Sequence, residues 1–243
     1  MTATRMTARS SGRRRTAFRI ASWWVRDYLY ALRWQRRATL HPGRPESFLA
    51  GEGRPVVLLP GVWERWGFLR PLAQALHAAG HPVHVIPALG RNARPVPEAA
   101  STVAALLAER DLRDVVLVAH SKGGLVGKYL MAELDPQARV SAMVAICTPF
   151  AGSPYARHLP ARALREFSPE APTTRGLQAH REVDARITTI SGVFDPHIPG
   201  GSTLDGATNV VLDDGGHFRL LGLRTVHDAV LAVAGRPSPS RST

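Results

Sequence analysis

The chain has a single cysteine, Cys147, so no internal disulfide can form and a disulfide-stapled scaffold is excluded. Lysine is almost absent: Lys122 and Lys128 are the two examples, and arginine carries the positive charge. No apolar run is long enough to span a bilayer, because Arg19, Arg26, Asp27 and Arg33 interrupt the one aromatic-rich segment near the start. Neither a phosphate-binding loop nor a dinucleotide glycine fingerprint occurs. His81 and His84 come nearest to metal-ligand spacing, but they open a strand, where rings three apart turn to opposite faces. No metal or other cofactor is therefore expected.

The net charge is +12 over 243 residues, enough chain for one substantial core. Residues 1–45 hold eleven arginines and one acid, Asp27, which leaves only +2 for the remainder. A nearly neutral globular part argues against nucleic acid as a partner and makes the basicity a terminal feature. Three segments are expected. Residues 1–45 form a basic N-terminal segment, disordered to residue 15 and then an amphipathic helix. Residues 46–236 form the globular domain, and 237–243 a disordered tail. Arg13–Arg15 before Phe18 resemble a twin-arginine export signal, yet charges break the following apolar stretch and no small-residue cleavage site follows. A cytoplasmic location is expected. Between Phe18 and Arg37, Ile20, Trp23, Trp24, Tyr28, Leu32 and Trp34 mix with arginines. Docking on the domain is the expected role, since large aromatics are more often core than anchor. Peripheral contact of residues 18–37 with an anionic membrane is the competing one.

From Pro55 the pattern alternates between strand and helix. Short β-branched runs predict strands over 56–59, 83–86, 115–118, 141–146, 187–192 and 209–212. Helical spacing occurs over 68–79, 98–110, 124–134 and 225–234. The alternation predicts an α/β fold with a mostly parallel sheet of about six strands and helices on both faces. A ligand then binds beyond the carboxyl ends of the strands. Residues 148–185 are longer and irregular, suited to a lid or a pocket wall.

The stretch from Val115 to Val126 organises the chain. A buried strand runs into Ala119-His120-Ser121-Lys122-Gly123 and then into a helix. A serine on such a strand-to-helix turn is a nucleophile elbow, which needs small residues two before and two after the serine. Ala119 and Gly123 stand there. A serine hydroxyl needs an imidazole to take its proton, and the imidazole needs a carboxylate to fix its tautomer. Asp195 follows the predicted strand from Ile187, and His217 follows the strand from Asn209, between glycines and an apolar run. Asp213 and Asp214 lie nearer His217 along the chain, but residues so close in one loop rarely reach the far ring nitrogen. Ser121, Asp195 and His217 are therefore the candidate catalytic residues. The oxyanion hole needs two backbone donors. Lys122 follows the nucleophile, and Val62 follows Gly61 in the loop after the first strand; Pro60 has no N–H. Gly61, Trp63, Trp66 and Phe150 are expected around the substrate, with Phe68 beside them. His120 is expected to support the elbow, and Cys147 to pack as a small hydrophobe.

These residues resemble the α/β-hydrolase superfamily and, within it, the small bacterial lipases and esterases, over about residues 54–234. Ala119-His120-Ser121-Lys122-Gly123-Gly124 is similar to the elbow of compact Bacillus-type lipases, which also carry alanine first. Leu204-Asp205-Gly206-Ala207-Thr208-Asn209-Val210, then Gly216-His217 and Leu220-Leu221, resembles the approach to their catalytic histidine. Thr148-Pro149-Phe150-Ala151-Gly152-Ser153 resembles a loop that helps frame the pocket in bacterial lipases. Pro60 stands where many relatives have histidine, and the arginine-rich first 45 residues have no counterpart in the compact lipases. The resemblance implies carboxylic ester hydrolysis through an acyl-enzyme on a small-molecule ester or lipid. Acyl transfer to an alcohol or thioester cleavage would use the same site. A non-catalytic protein of this fold that binds membrane or a partner is the reading from a different class.

Overall fold

The computed structural model describes residues 7–156 and 162–236, with side chains from residue 18 onward except 157–163. The expected tail, 237–243, lies outside the described residues. A long helix, α1 (Thr7–Leu40), comes first. The sheet follows as β1 (Val56–Leu59), β2 (Val83–His84), β3 (Val115–His120), β4 (Val140–Ile146), β5 (Ile187–Phe194) and β6 (Thr208–Gly215). The connecting helices are α2 (Arg70–Ala78), α3 (Val96–Glu109), α4 (Lys122–Tyr129), α5 (Arg162–Arg165), α6 (Pro172–Ala179) and α7 (Arg224–Ala234).

All six strands are parallel, in the order β2-β1-β3-β4-β5-β6. β1 and β3 are buried at every residue, as strands covered on both faces must be. Their side chains alternate between two cores. Val57, Leu59, Val115 and Leu117 meet residues of α3 and α4 on one face. Val56, Leu58, Val116 and Val118 meet α2 and α7 on the other. The chain leaves β1 outward to β2, then returns to lay β3 on the opposite side of β1. The crevice for a ligand opens where the order reverses, at the carboxyl ends of β1 and β3. β4, β5 and β6 then follow in sequence, so their carboxyl ends line up beside that crevice.

The N-terminal helix docks on the domain. Trp23 stacks on Phe194 with ring centroids 6.1 Å apart, and Tyr30 meets Phe68 edge to face at 6.2 Å. Asp27 and Ala38 are buried against the domain. The described helix includes residues 7–15, which are helical where disorder was expected. Once the docked part is formed, each added residue brings one more backbone hydrogen bond without a new nucleation step. No helix among the described residues is long and apolar enough to cross a membrane.

One buried ion pair fastens the middle of the fold. Lys128 on α4 lies 2.6 Å from Asp184, with the two side chains 1% and 3% exposed. Removing one partner of such a pair strands the other charge away from water. Lys128→Met alone is expected to lower stability by about 3–5 kcal/mol. Lys128→Met with Asp184→Leu is expected to recover most of that loss in a denaturant titration; equal losses in the single and double variants would contradict the pairing.

Candidate active site

The elbow at Ser121 is held by close backbone contact. Ser121 adopts φ 51° and ψ −119°, a conformation that L-residues rarely take. A side chain at Gly123 would collide with the Leu59 carbonyl oxygen, and one at Gly124 with the Thr148 hydroxyl. Trp63 and Cys147, just past β1 and β4, also have positive φ, 61° and 50°. Ser121, Trp63 and Cys147 thus place left-handed backbone at strand ends around one crevice.

The structure brings Ser121, His217 and Asp195 together. Ser121 Oγ is 3.1 Å from His217 Nε2, and His217 Nδ1 is 2.8 Å from Asp195 Oδ2. Ninety-six residues separate the serine and the histidine along the chain. Phe194 pairs with Gly215 at the ends of β5 and β6, which sets the Asp195 and His217 loops side by side. The other Asp195 oxygen accepts the backbone N–H groups of His197 and Ile198 at 2.8 and 3.1 Å. Asp213 and Asp214 are engaged elsewhere, with Arg19 and Arg219.

The electrostatics follow from these contacts. Burial disfavours a charged His217, but Asp195, with Glu64 and Asp27 adding to it, outweighs burial, and the imidazole pKa lies above its ordinary value. Burial also disfavours a charged Asp195; His217 and the His197 N–H overcome this and hold the carboxyl below its ordinary range. His197 is pushed down to about 4 by burial and by His217, so it is neutral near pH 7. A hydroxyl against an imidazole held by a carboxylate is an arrangement in which the hydroxyl proton can be taken up.

Glu64 was not singled out in the sequence. Its carboxylate accepts the Gly61 N–H at 2.7 Å and meets His120 Nδ1 at 2.9 Å. His120 Nε2 lies 3.0 Å from the His217 carbonyl oxygen. A carbonyl only accepts, so Nε2 donates to it, while Nδ1 faces the Glu64 carboxylate. The pair ties the loop after β1 to the elbow and to the His217 loop. With Gly61 N–H taken, Val62 is the next donor along that loop. Lys122 opens α4, where a first-turn N–H has no partner within the helix. Asn92 Nδ2 donates to the Pro60 carbonyl at 2.7 Å and braces the same loop. The Lys122 side chain is fully buried, donates to the Arg94 carbonyl and lies 3.7 Å from Glu166, away from the crevice.

A cavity of about 390 Å³ opens over Ser121 and His217. Its wall includes Val62, Trp63, Tyr155, Leu164, Phe167 and Ile198, mostly apolar, with Tyr28, Glu64, Ser153 and His197 as polar members. Trp66 and Phe150, expected in the wall, are not part of it. Trp66 packs edge to face on Phe48 and under Arg70, and Phe150 turns into the core, where Lys128 lies over its ring. Phe68 is likewise core, stacked on His120. Gly61 sits behind the wall, against Glu64. Cys147, Asp195 and His217 offer ligand atoms within 4.8 Å of one another, but burial pushes the Cys147 thiol well up and keeps it protonated. His81 and His84 are apart from the site: His81 meets the Arg54 carbonyl and His84 meets Arg110.

Residues 56–207 match the sequence profile described as the alpha/beta hydrolase family. The chain belongs to that family. No curated protein matches its sequence. Among solved structures, a mature lipase from Bacillus licheniformis superposes with a TM-score of 0.60 at 18% identity, over 79% of this chain and all of that one. An extracellular α/β-hydrolase from a Paenibacillus species gives 0.52 at 18% identity, over 76% of this chain and 100% of the other. An enol-lactonase from Burkholderia xenovorans gives 0.53 at 16%, over 75% and 92%. Likeness at these identities concerns the fold, and the sheet described above is the α/β-hydrolase sheet.

Loss of the Glu64 carboxylate leaves the buried His120 Nδ1 and the Gly61 N–H without their hydrogen-bond partner. Glu64→Ala is expected to lower stability by roughly 3 kcal/mol, about 6–12 °C in Tm for a chain this size. Glu64→Gln, which keeps an acceptor for Gly61, should lose less in the same thermal scan. An unchanged Tm for Glu64→Ala would show that the pair holds nothing in place.

Proposed function

We propose that this hydrolase cleaves carboxylic esters through an acyl-enzyme on Ser121. The observation that carries the reading is the continuous contact from Ser121 Oγ to His217 Nε2, 3.1 Å, and from His217 Nδ1 to Asp195, 2.8 Å. Ser121 Oγ attacks the ester carbonyl while His217 takes its proton. The backbone N–H groups of Val62 and Lys122 stabilise the oxyanion. Collapse of the tetrahedral intermediate expels the alcohol, which receives the proton from His217. Water, deprotonated by His217, then releases the acid and restores the serine. Asp195 orients the imidazole and stabilises its charged form. The apolar wall of the cavity, from Val62 to Leu164, Phe167 and Ile198, supports an acyl group as the part of the substrate bound there.

The outer face of α1 bears on location. Phe18, Val25, Leu29, Leu32 and Leu40 form an outward ridge on α1, each more than half exposed. Exposed Arg26, Arg33 and Arg37 run along one flank. The other flank carries Trp24 and Tyr28 towards the cavity. An apolar ridge beside arginines supports peripheral contact with an anionic bilayer, which would bring a lipid ester to the cavity mouth.

Turnover over esters of rising acyl length, with Ser121→Ala alongside, tests the chemistry. Activity should vanish in the variant and, in the wild type, fall away as pH drops through the raised His217 pKa, because the protonated imidazole is no base. Undiminished turnover by Ser121→Ala would overturn the reading. Flotation with phosphatidylglycerol vesicles tests the contact: the wild type should float, and the Leu29→Glu, Leu32→Glu double variant should float much less. Equal flotation of the two would exclude the ridge as the contact.

A further inference from the structure

The helix that precedes the hydrolase domain touches each of the three loops that build the site. Asp27 Oδ1 accepts the backbone N–H groups of Phe218 and Arg219 at 2.8 and 2.7 Å, directly after His217. The hydroxyl of Tyr28 is 3.2 Å from His197 Nε2, on the loop of Asp195. Gln35 donates from Nε2 to the Trp63 carbonyl at 3.0 Å, on the loop that carries Val62. Asp27 and Tyr28 are adjacent and Gln35 lies two turns further on, so one side of a single helix spans the crevice.

The backbone of the histidine loop is shaped to let α1 in. A side chain at Gly215 would come within 2.6 Å of the Trp23 ring. One at Gly216 would come within 2.6 Å of Asp27 Oδ1, and Gly216 has φ 127°, which also favours glycine. Asp27 is fully buried, and its Oδ2 has no hydrogen-bond partner among the described residues. A buried carboxylate with an unpartnered oxygen destabilises the fold, so packing alone is a poor reason for its presence. What it does is cap the turn Arg219–Gly222 from another element, which fixes where the backbone leaves His217.

We infer that α1 is part of the catalytic apparatus and that Asp27 is a positioning residue for His217. Asp27 clamps the loop that carries the base while Tyr28 and Gln35 hold the acid and oxyanion loops to the same helix. The inference rests on the proposed role of His217 as the base. Its consequence is that hydrolytic power depends on a segment that precedes the matched family region, residues 56–207.

The rate at which a fluorophosphonate phosphonylates Ser121 reports activation of the serine by His217 without needing the natural substrate. In that step Oγ displaces fluoride at phosphorus, and the serine proton passes to His217. Rates would be measured against pH for the full-length wild type, Asp27→Asn and Asp27→Ala. Misplacing the imidazole by about an ångström should slow Asp27→Ala by up to about a hundredfold. Asp27→Asn keeps an acceptor oxygen for both N–H groups and should recover most of the rate. The charged and titratable groups facing His217 are Asp195 and His197 after β5, Glu64 after β1, His120 on β3, Cys147 after β4 and Asp27 on α1. Only the last changes, and its charge favours the protonated imidazole. The acid limb of Asp27→Asn should therefore move to lower pH, a shift that a purely structural role would not produce. Wild-type rate and wild-type acid limb in Asp27→Asn, or a rate for Asp27→Ala within about threefold of wild type, would overturn the inference while the hydrolase reading stood. If Asp27→Ala does not fold, the pH profile of Asp27→Asn decides. An unlabelled wild type would overturn the hydrolase reading and the inference with it.

Discussion

The close passage of the Ser121 elbow over the end of β1 constrains everything around the site. Gly123 lies against the Leu59 carbonyl, so α4 can start only where β1 ends. That contact puts the first N–H of α4 beside the loop from Gly61 to Glu64. It also forces Ser121 to φ 51°, which lifts its hydroxyl clear of the sheet. The parallel order of β3, β4, β5 and β6 then carries the aspartate and histidine loops to the same rim. The site is thus a product of sheet order, with one strained residue at its centre.

Around that residue the fold spends stability on buried charge. Glu64 with His120, Asp27 with the turn after His217, and Lys122 beside Glu166 each link segments distant in sequence. Apolar replacements of similar volume would often be as stable or more so. What charge adds is direction: a carboxylate accepting two N–H groups fixes a loop in a way that a leucine cannot. A base that must face Ser121 and Asp195 at once needs that fixity, because small displacements weaken both hydrogen bonds.

Much of the scaffold was legible in the sequence, for a physical reason. Strands buried on both faces read as unbroken β-branched runs, and Val115 to Val118 or Val56 to Leu59 admit few other interpretations. Residues at strand ends, such as Ser121 and Asp195, are visible by the same rule. The supports were not legible. Glu64 stands 56 residues before His120 and Asp27 191 before Phe218, and no spacing rule joins a carboxylate to a backbone N–H so far away. The glycine pair Gly215-Gly216 was a signal of close approach without saying what approaches. The aromatic residues mislead for a related reason: Trp63, Trp66 and Phe68 lie close along the chain, yet of the three only Trp63 faces the cavity, while the others fill the core beneath it. Before Phe18 the Ser, Gly and Arg composition of α1 carries no apolar face, so nothing there signals a helix that docking further along nucleates.

The most direct measurement is rapid-quench kinetics with an activated ester, followed by peptide mass mapping of the quenched protein. A burst of one alcohol per chain should precede steady turnover, with the acyl group on the peptide that contains Ser121. Turnover without a burst, together with an acyl group on another residue or on none, would contradict a serine nucleophile at the elbow.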